Sequence, residues 1–358
     1  MTNFSVNRRQ AVRCLAASPA LSLLKPLCTQ EAEASGRPEA LGVRLQDEPE
    51  PAAQRGAALP TQSAADEKTK TKNRRFRTAL VPSAVGIRLS QQEAIAAARQ
   101  YGFEAVEPQI DYLARLSDDE LAVLREQMAQ AGLVWSAAGL PVDFRGAEER
   151  FAEGLKRLPD YARQLRRIGV DRVGTYIQPV HRQLTYLENF RLHVARFRAM
   201  AEVLGEFGIR LGIEYVGPKR SWTAGRYPFI HTLKELRELI EAIANPAVGF
   251  TLDSWHWYTA GETTADILAL PGKDVLIVHL NDAPAGIPVD EQVDSVRELP
   301  LATGVIDMKG FLGALVEIGF EGPAYIEPFK AELRRLPTEK ALALVAESMK
   351  KCIALIES

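Results

Sequence analysis

Four ionisable residues close four short apolar runs in the later part of the chain. Glu214 ends Leu211-Gly212-Ile213, Asp253 ends Phe250-Thr251-Leu252, His279 ends Ile277-Val278, and Glu327 ends Tyr325-Ile326. Short runs of this kind read as strands, whose successive side chains face opposite sides. If Glu214 points into a barrel, Ile213 and Tyr215 point to its outer layer, and the same parity pairs Leu252 with Asp253, Val278 with His279 and Ile326 with Glu327. On neighbouring strands the four side chains then project into one cavity. Carboxylates packed this closely raise one another's pKa, and a divalent cation removes that cost. Three oxygen donors and one imidazole, with no sulfur, suit Mn2+, Mg2+, Co2+ or Zn2+. Singly, each residue has a plainer reading. A strand-end acid is commonly a helix cap or a surface group, and a lone histidine is more often a hydrogen-bonded core residue. Their joint occurrence carries the metal reading.

Strands need a scaffold that keeps their ends together. Candidate strands fall at 78–85, 104–110, 133–140, 171–178, 210–216, 248–254, 275–281 and 324–329. Amphipathic stretches alternate with them. Phe151, Leu155, Leu158, Ala162 and Leu165 recur at helical spacing, as do Leu187, Phe190, Val194, Phe197, Ala201 and Leu204. A final stripe runs through Leu342, Val345, Met349, Cys352 and Ile356. Ser90, Ser117 and Thr338 stand where N-caps belong, and Gly102, Gly132, Gly169, Gly208 and Gly319 just past helix ends. Eight strand–helix units predict an α/β protein, a single (β/α)8 TIM barrel over 76–358, close in size to the ~250 residues typical of that fold. Chemistry in such a barrel sits at the carboxyl ends of the strands.

The chain of 358 residues is 46% hydrophobic and carries Lys+Arg 44 against Asp+Glu 46. That balance supports a large core and offers no global field for nucleic acid or an anionic membrane. Cys14, Cys28 and Cys352 form no C-x-x-C pair, so no disulfide framework or cysteine metal site is expected. Residues 1–30 place Arg8-Arg9 ahead of the apolar stretch Leu15 to Leu27, which reads as a twin-arginine export signal. The expected location is therefore exported or periplasmic, with a basic N-terminus of a cytoplasmic protein as the alternative. The apolar stretch is too short to span a bilayer. Residues 31–75, poor in aromatics, read as a disordered linker, and the basic run 68-KTKTKNRRFR-77 at its end reads as solvated chain.

Region 76–358 resembles the sugar phosphate isomerase/epimerase family of the xylose isomerase-like TIM-barrel superfamily. The resemblance is carried by 212-GIEYVGPK-219, 249-GFTLDSWHWYTAG-261, 275-VLIVHLNDAP-284 and 303-TGVIDMKGFLGALVEIGFEGPAYIEPF-329. It implies a single divalent metal held by Glu214, Asp253, His279 and Glu327. The motif Asp253-Ser-Trp-His256 is similar to the family's pairing of an aspartate with a histidine three residues on, and implies a substrate-side role for His256. Where many relatives carry Pro-Gly-x-x-Gly, this chain has Pro300-Leu301-Ala302-Thr303-Gly304, which leaves that loop's substrate contacts open. The insertion from Pro284 to Pro300 reads as a specificity loop, and its Arg297 as a ligand for a hydroxyl or phosphate, or else a surface ion-pair residue.

The implied reaction is isomerisation or epimerisation of a small-molecule carbohydrate. A metal-polarised carbonyl and the catalytic pair Glu214 and Glu327 move a proton through an enediolate. His256 and Lys219 are candidates to orient hydroxyls. Trp222, Trp255 and Trp257 are candidates to stack on the sugar, with wall packing as the plainer reading. The same enolate supports a lyase or hydratase on keto-sugars. A nucleic-acid enzyme would need a His-rich multi-zinc site, yet the chain holds only five histidines. A non-catalytic sugar-binding barrel would have no need of the carboxylates. No H-E-x-x-H, G-x-S-x-G or P-loop motif is present. Oligomeric state is left open.

Overall fold

The computed structural model describes residues 73–357. The predicted export signal, most of the predicted linker, Cys14 and Cys28 lie outside the described residues. The end of the basic run is not solvated chain. Arg74 donates to Glu104 at 2.7 Å and to the Phe76 carbonyl at 2.6 Å, and pairs with Glu357 at 3.1 Å.

Among the described residues eleven strands form: β1 (Arg77–Leu80), β2 (Ala105–Val106), β3 (Val134–Trp135), β4 (Ala138–Gly139), β5 (Arg172–Tyr176), β6 (Val180–His181), β7 (Arg210–Glu214), β8 (Tyr227–Pro228), β9 (Val248–Asp253), β10 (Val275–Leu280) and β11 (Pro323–Ile326). Nine of them make one parallel sheet in the order β3-β2-β1-β11-β10-β9-β7-β5-β4. Its two ends, β3 and β4, are halves of one segment, so the sheet closes on itself as a TIM barrel. The predicted strand 133–140 is thus broken at Ser136–Ala137, one half bonding β2 and the other β5. β6 and β8 form a separate antiparallel pair that the apolar pattern does not announce, since each has only two residues.

Helices cover the barrel with their apolar faces. In helix Glu148–Ile168, Phe151, Leu158, Ala162 and Leu165 are buried, as the spacing predicts. In Tyr186–Glu206 the stripe holds for Phe197, Ala201 and Leu204, but Leu187 is 54% exposed because it lies on the first turn, off the buried face. Ser90 and Ser117 close capping boxes with Glu93 and Glu120. Thr338 differs from its predicted capping role. It is the first residue of the last helix, and the capping position falls on Pro337.

Inside the barrel, small residues make room for large ones. A Cβ at Gly212 would stand 2.5 Å from Thr251 Oγ1, and one at Gly174 2.8 Å from Ile277 Cδ1. Gly174, Gly212, Thr251 and Ile277 therefore share the inward parity, and two residues further along each strand lie Tyr176, Glu214, Asp253 and His279. No helix among the described residues is long and apolar enough to cross a membrane.

Candidate metal centre at the carboxyl ends of the strands

Three of the four strand-end residues meet. One ligand atom from each of Glu214, Asp253 and His279 lies within 4.8 Å of the others, and all three residues are buried. His279 Nδ1 stands 2.9 Å from Glu214 Oε1 and 3.9 Å from Asp253 Oδ2. Glu327, one residue beyond β11, stands at the edge of this group, with its Oε2 3.4 Å from His279 Nδ1. Its side chain is more exposed than the other three.

The residues fit a cation. Glu214 Oε1 and His279 Nδ1 are buried, face each other, and have no aligned hydrogen-bond partner. Such orphaned groups are costly unless something satisfies them. A divalent ion would serve both with nitrogen and oxygen donors of the right chemistry.

Asp253 keeps its plainer role as well. It is the N-cap of helix Ser254–Thr259, and its Oδ1 accepts from Trp255 N at 2.7 Å and from Asn281 Nδ2 at 2.9 Å. Its Oδ2 faces inward and accepts from Arg297 Nη1 at 2.7 Å. One carboxylate oxygen is thus clamped by the fold and the other is presented to the site.

Arg297 reaches the centre from the 284–300 insertion. It is buried at 3% exposure, not a surface ion-pair residue. Asp294 accepts from its Nη2 at 2.9 Å, and the Phe329 and Trp255 rings lie 4.4 and 5.4 Å from it. The insertion is tied down at its base by the Asp282–Glu298 bridge, and Gln292 donates to the Pro284 and Ile287 carbonyls.

His256 is buried beside the ligands. Its Nδ1 accepts from Gly217 N at 3.2 Å, so its Nε2 faces Glu214 and Asp253, each 4.0 Å away. Gly217 permits this approach, because a Cβ there would stand 2.5 Å from the His256 carbonyl oxygen.

The other predicted substrate residues are engaged elsewhere. Trp255 is completely buried, and Trp257 is buried against Phe311 with its Nε1 donating to the Thr263 carbonyl. Trp257 thus belongs to the core, while Trp255 is buried beside Arg297. Trp222 stacks on His231 with ring centres 4.6 Å apart. Lys219 is paired with Asp290 at 2.5 Å, on the insertion. The loop Pro300 to Gly304 is fixed by Asp282, which accepts from the backbone of Thr303, Gly304 and Ile306 at 2.8–3.0 Å. Leu301 holds a left-handed φ of 63°, a conformation a glycine at that place would take freely.

Charge and burial set the protonation. Burial pushes the Glu327 carboxyl up to about 7, with Glu214 adding to the rise while His279 and Arg297 oppose it. Burial draws the His279 imidazole down, but Glu214 and Glu327 outweigh it and hold it up at about 9. Burial also works against the Asp253 carboxylate, yet Arg297, His256 and His279 together hold its pKa below the ordinary value.

Sequence reasoning missed Asp294 and Asn281, which orient Arg297 and Asp253. Both lie in loops without periodicity, although Asn281 stands two residues past His279 and so shares its parity.

A parallel barrel with such a centre defines a class. The sequence pattern of the family described as xylose isomerase-like TIM barrel matches residues 95–352, and the chain belongs to that family. An inosose isomerase of Bacillus velezensis is 22% identical over 240 residues, covering 67% of this chain and 82% of the relative. A 3-dehydroshikimate dehydratase of Pseudomonas putida is 28% identical over 253 residues, covering 70% of this chain but 37% of that longer protein. Among solved structures, a xylose isomerase domain protein from Alicyclobacillus acidocaldarius superposes with a TM-score of 0.68 at 32% identity, covering 79% of this chain and 100% of that one. The IolI protein with a bound zinc atom shares the fold at 20% identity and a TM-score of 0.65, covering 78% and 98%.

Proposed function

We propose that this chain is a divalent-metal-dependent isomerase or epimerase that acts on a sugar or keto-sugar by proton transfer through an enediolate. The observation that carries this reading is the buried convergence of Glu214, Asp253 and His279 within 4.8 Å. The likeness to an inosose isomerase supports the reaction class. Mn2+, Mg2+, Co2+ and Zn2+ all suit the donor set, and the zinc of the IolI structure puts zinc among them.

Glu214, Asp253, His279 and Glu327 would hold the ion. When bound, it supplies polarisation of the substrate carbonyl and neutralises charge developing on that oxygen. The chain's own residues do the rest. Glu214 and Glu327 remove a proton from the carbon beside the carbonyl and return it. His256 Nε2 faces the same space and orients a hydroxyl. Arg297, with its own nitrogens engaged by Asp253 and Asp294, holds Asp253 ionised. The insertion that supplies Arg297 shapes specificity.

A second reading is favoured by the likeness to 3-dehydroshikimate dehydratase. From the same enolate, loss of a β-hydroxyl gives a lyase. Elemental analysis for bound metal, followed by solvent-deuterium incorporation over a panel of sugars and keto-sugars, separates the two. Exchange at carbon without loss of water supports the isomerase. Net elimination supports the lyase, and bound metal without exchange leaves a sugar-binding barrel.

A further inference from the structure

The cations near the mouth differ in how they are paired. Arg297 is neutralised by Asp253 and Asp294, and Lys219 by Asp290. Arg145, in the loop after β4, makes no ion pair with any carboxylate of the described residues. Asp143, whose charge acts on it, pairs with Arg150 and accepts from Gly146 N.

Arg145 is nonetheless held in place. Its guanidinium lies between the rings of Phe144 and Tyr176, 4.2 Å from each centre. One nitrogen donates to the Tyr176 carbonyl and to Thr175 Oγ1, while Nε is buried with no partner. The backbone on both sides is clamped, since the buried Arg196 donates to the Phe144 and Gly146 carbonyls at 2.8 Å each. Burial pulls the Arg145 pKa below its ordinary range, as expected for an incompletely compensated cation.

The place of this cation is set by register. Tyr176 is the strand partner of Glu214, so the two stand roughly 5 Å apart and share the inward parity. Tyr176 is 45% exposed, which puts its ring at the open mouth beside the proposed base. A preorganised, unneutralised guanidinium backed by aromatic rings is a receptor for a planar anion.

We propose that Arg145, with Tyr176 behind it, determines specificity by receiving a carboxylate of the substrate, so that the preferred substrate is an acidic keto-compound and not a neutral sugar. This inference rests on the isomerase reading above for its reaction, but not for its binding test. The test uses the full chain loaded with one divalent ion, as wild type, Arg145→Met and Arg145→Lys. Each is given a hexulose, the matching hexuluronate and the matching hexulose 6-phosphate in deuterated water. The wild-type ratio of kcat/KM for hexuluronate over hexulose is expected above about ten, with the phosphate below the uronate. Arg145→Met lowers that ratio at least tenfold, mainly through KM, and Arg145→Lys restores part of it. A wild-type preference for the hexulose or the phosphate, or an unchanged ratio in Arg145→Met, overturns the proposal. If none of the compounds exchanges, the isomerase reading fails by itself. Calorimetric titration with the hexuluronate then decides on Arg145. Binding at least tenfold weaker in Arg145→Met supports the assignment, and equal or absent binding overturns it.

Discussion

The two sides of the barrel are built differently. The barrel strands β7, β9, β10 and β11 run four to six residues, and each delivers an ionisable side chain at, or one residue from, its carboxyl end. From β2 through β4 the strands are two residues long, and the one acid that directly follows them, Glu107 after β2, accepts from Ser83 and not from the centre. Their contribution at the mouth comes from the loop that carries Arg145. The long ladders hold the metal ligands in fixed register, where displacement of an ångström would break a coordination set. On the proposals above, the chemistry rests on the long ladders and the selectivity on a loop beside the short ones.

The comparison breaks most visibly at Asp253. Asp253→Ala removes a ligand and leaves Arg297 buried with its main partner gone, so a loss of about 3 kcal/mol is expected in chemical denaturation, together with loss of bound metal. Glu214→Gln keeps shape and volume. Solvent-deuterium exchange should fall about 10²- to 10⁴-fold while the circular dichroism spectrum is unchanged. A retained rate would remove Glu214 from its role.

A subtler probe lies just outside the ligand layer. The Tyr215 hydroxyl donates to Glu262, and burial raises the Glu262 carboxyl from its ordinary 4.5 to about 7. Folded Glu262 therefore holds its proton where the unfolded chain has released it. Stability should fall as pH rises from about 4.5 to about 7, by about 3 kcal/mol in all, and level off above that. Glu262→Gln should flatten this slope in melts across the same pH range. The smallest effect is expected on the opposite side, where Ser117→Ala opens the capping box with Glu120 and costs about 1 kcal/mol with metal content unchanged.

How much of this could be read beforehand depends on periodicity. Glu214, Asp253, His279 and Glu327 stood out because each interrupts an apolar run at its end, and strand parity then decides which way they face. The same parity applies to Tyr176 at the end of β5, but a tyrosine after a threonine raises no charge signal. Arg145, Asp294 and the burial of Arg297 depend on loop paths, which no period-two or 3.6-residue pattern encodes. For Trp255 and Trp257 aromatic type left sugar stacking and wall packing side by side, and both rings are buried.

The ring closes through Val134–Trp135 and Ala138–Gly139, two residues bonding one neighbour and two bonding the other. That makes the barrel a collar whose clasp sits on the side away from the ligand-bearing strands. The place where the ring is fastened and the place where an ion would be caged are thus separate parts of one sheet.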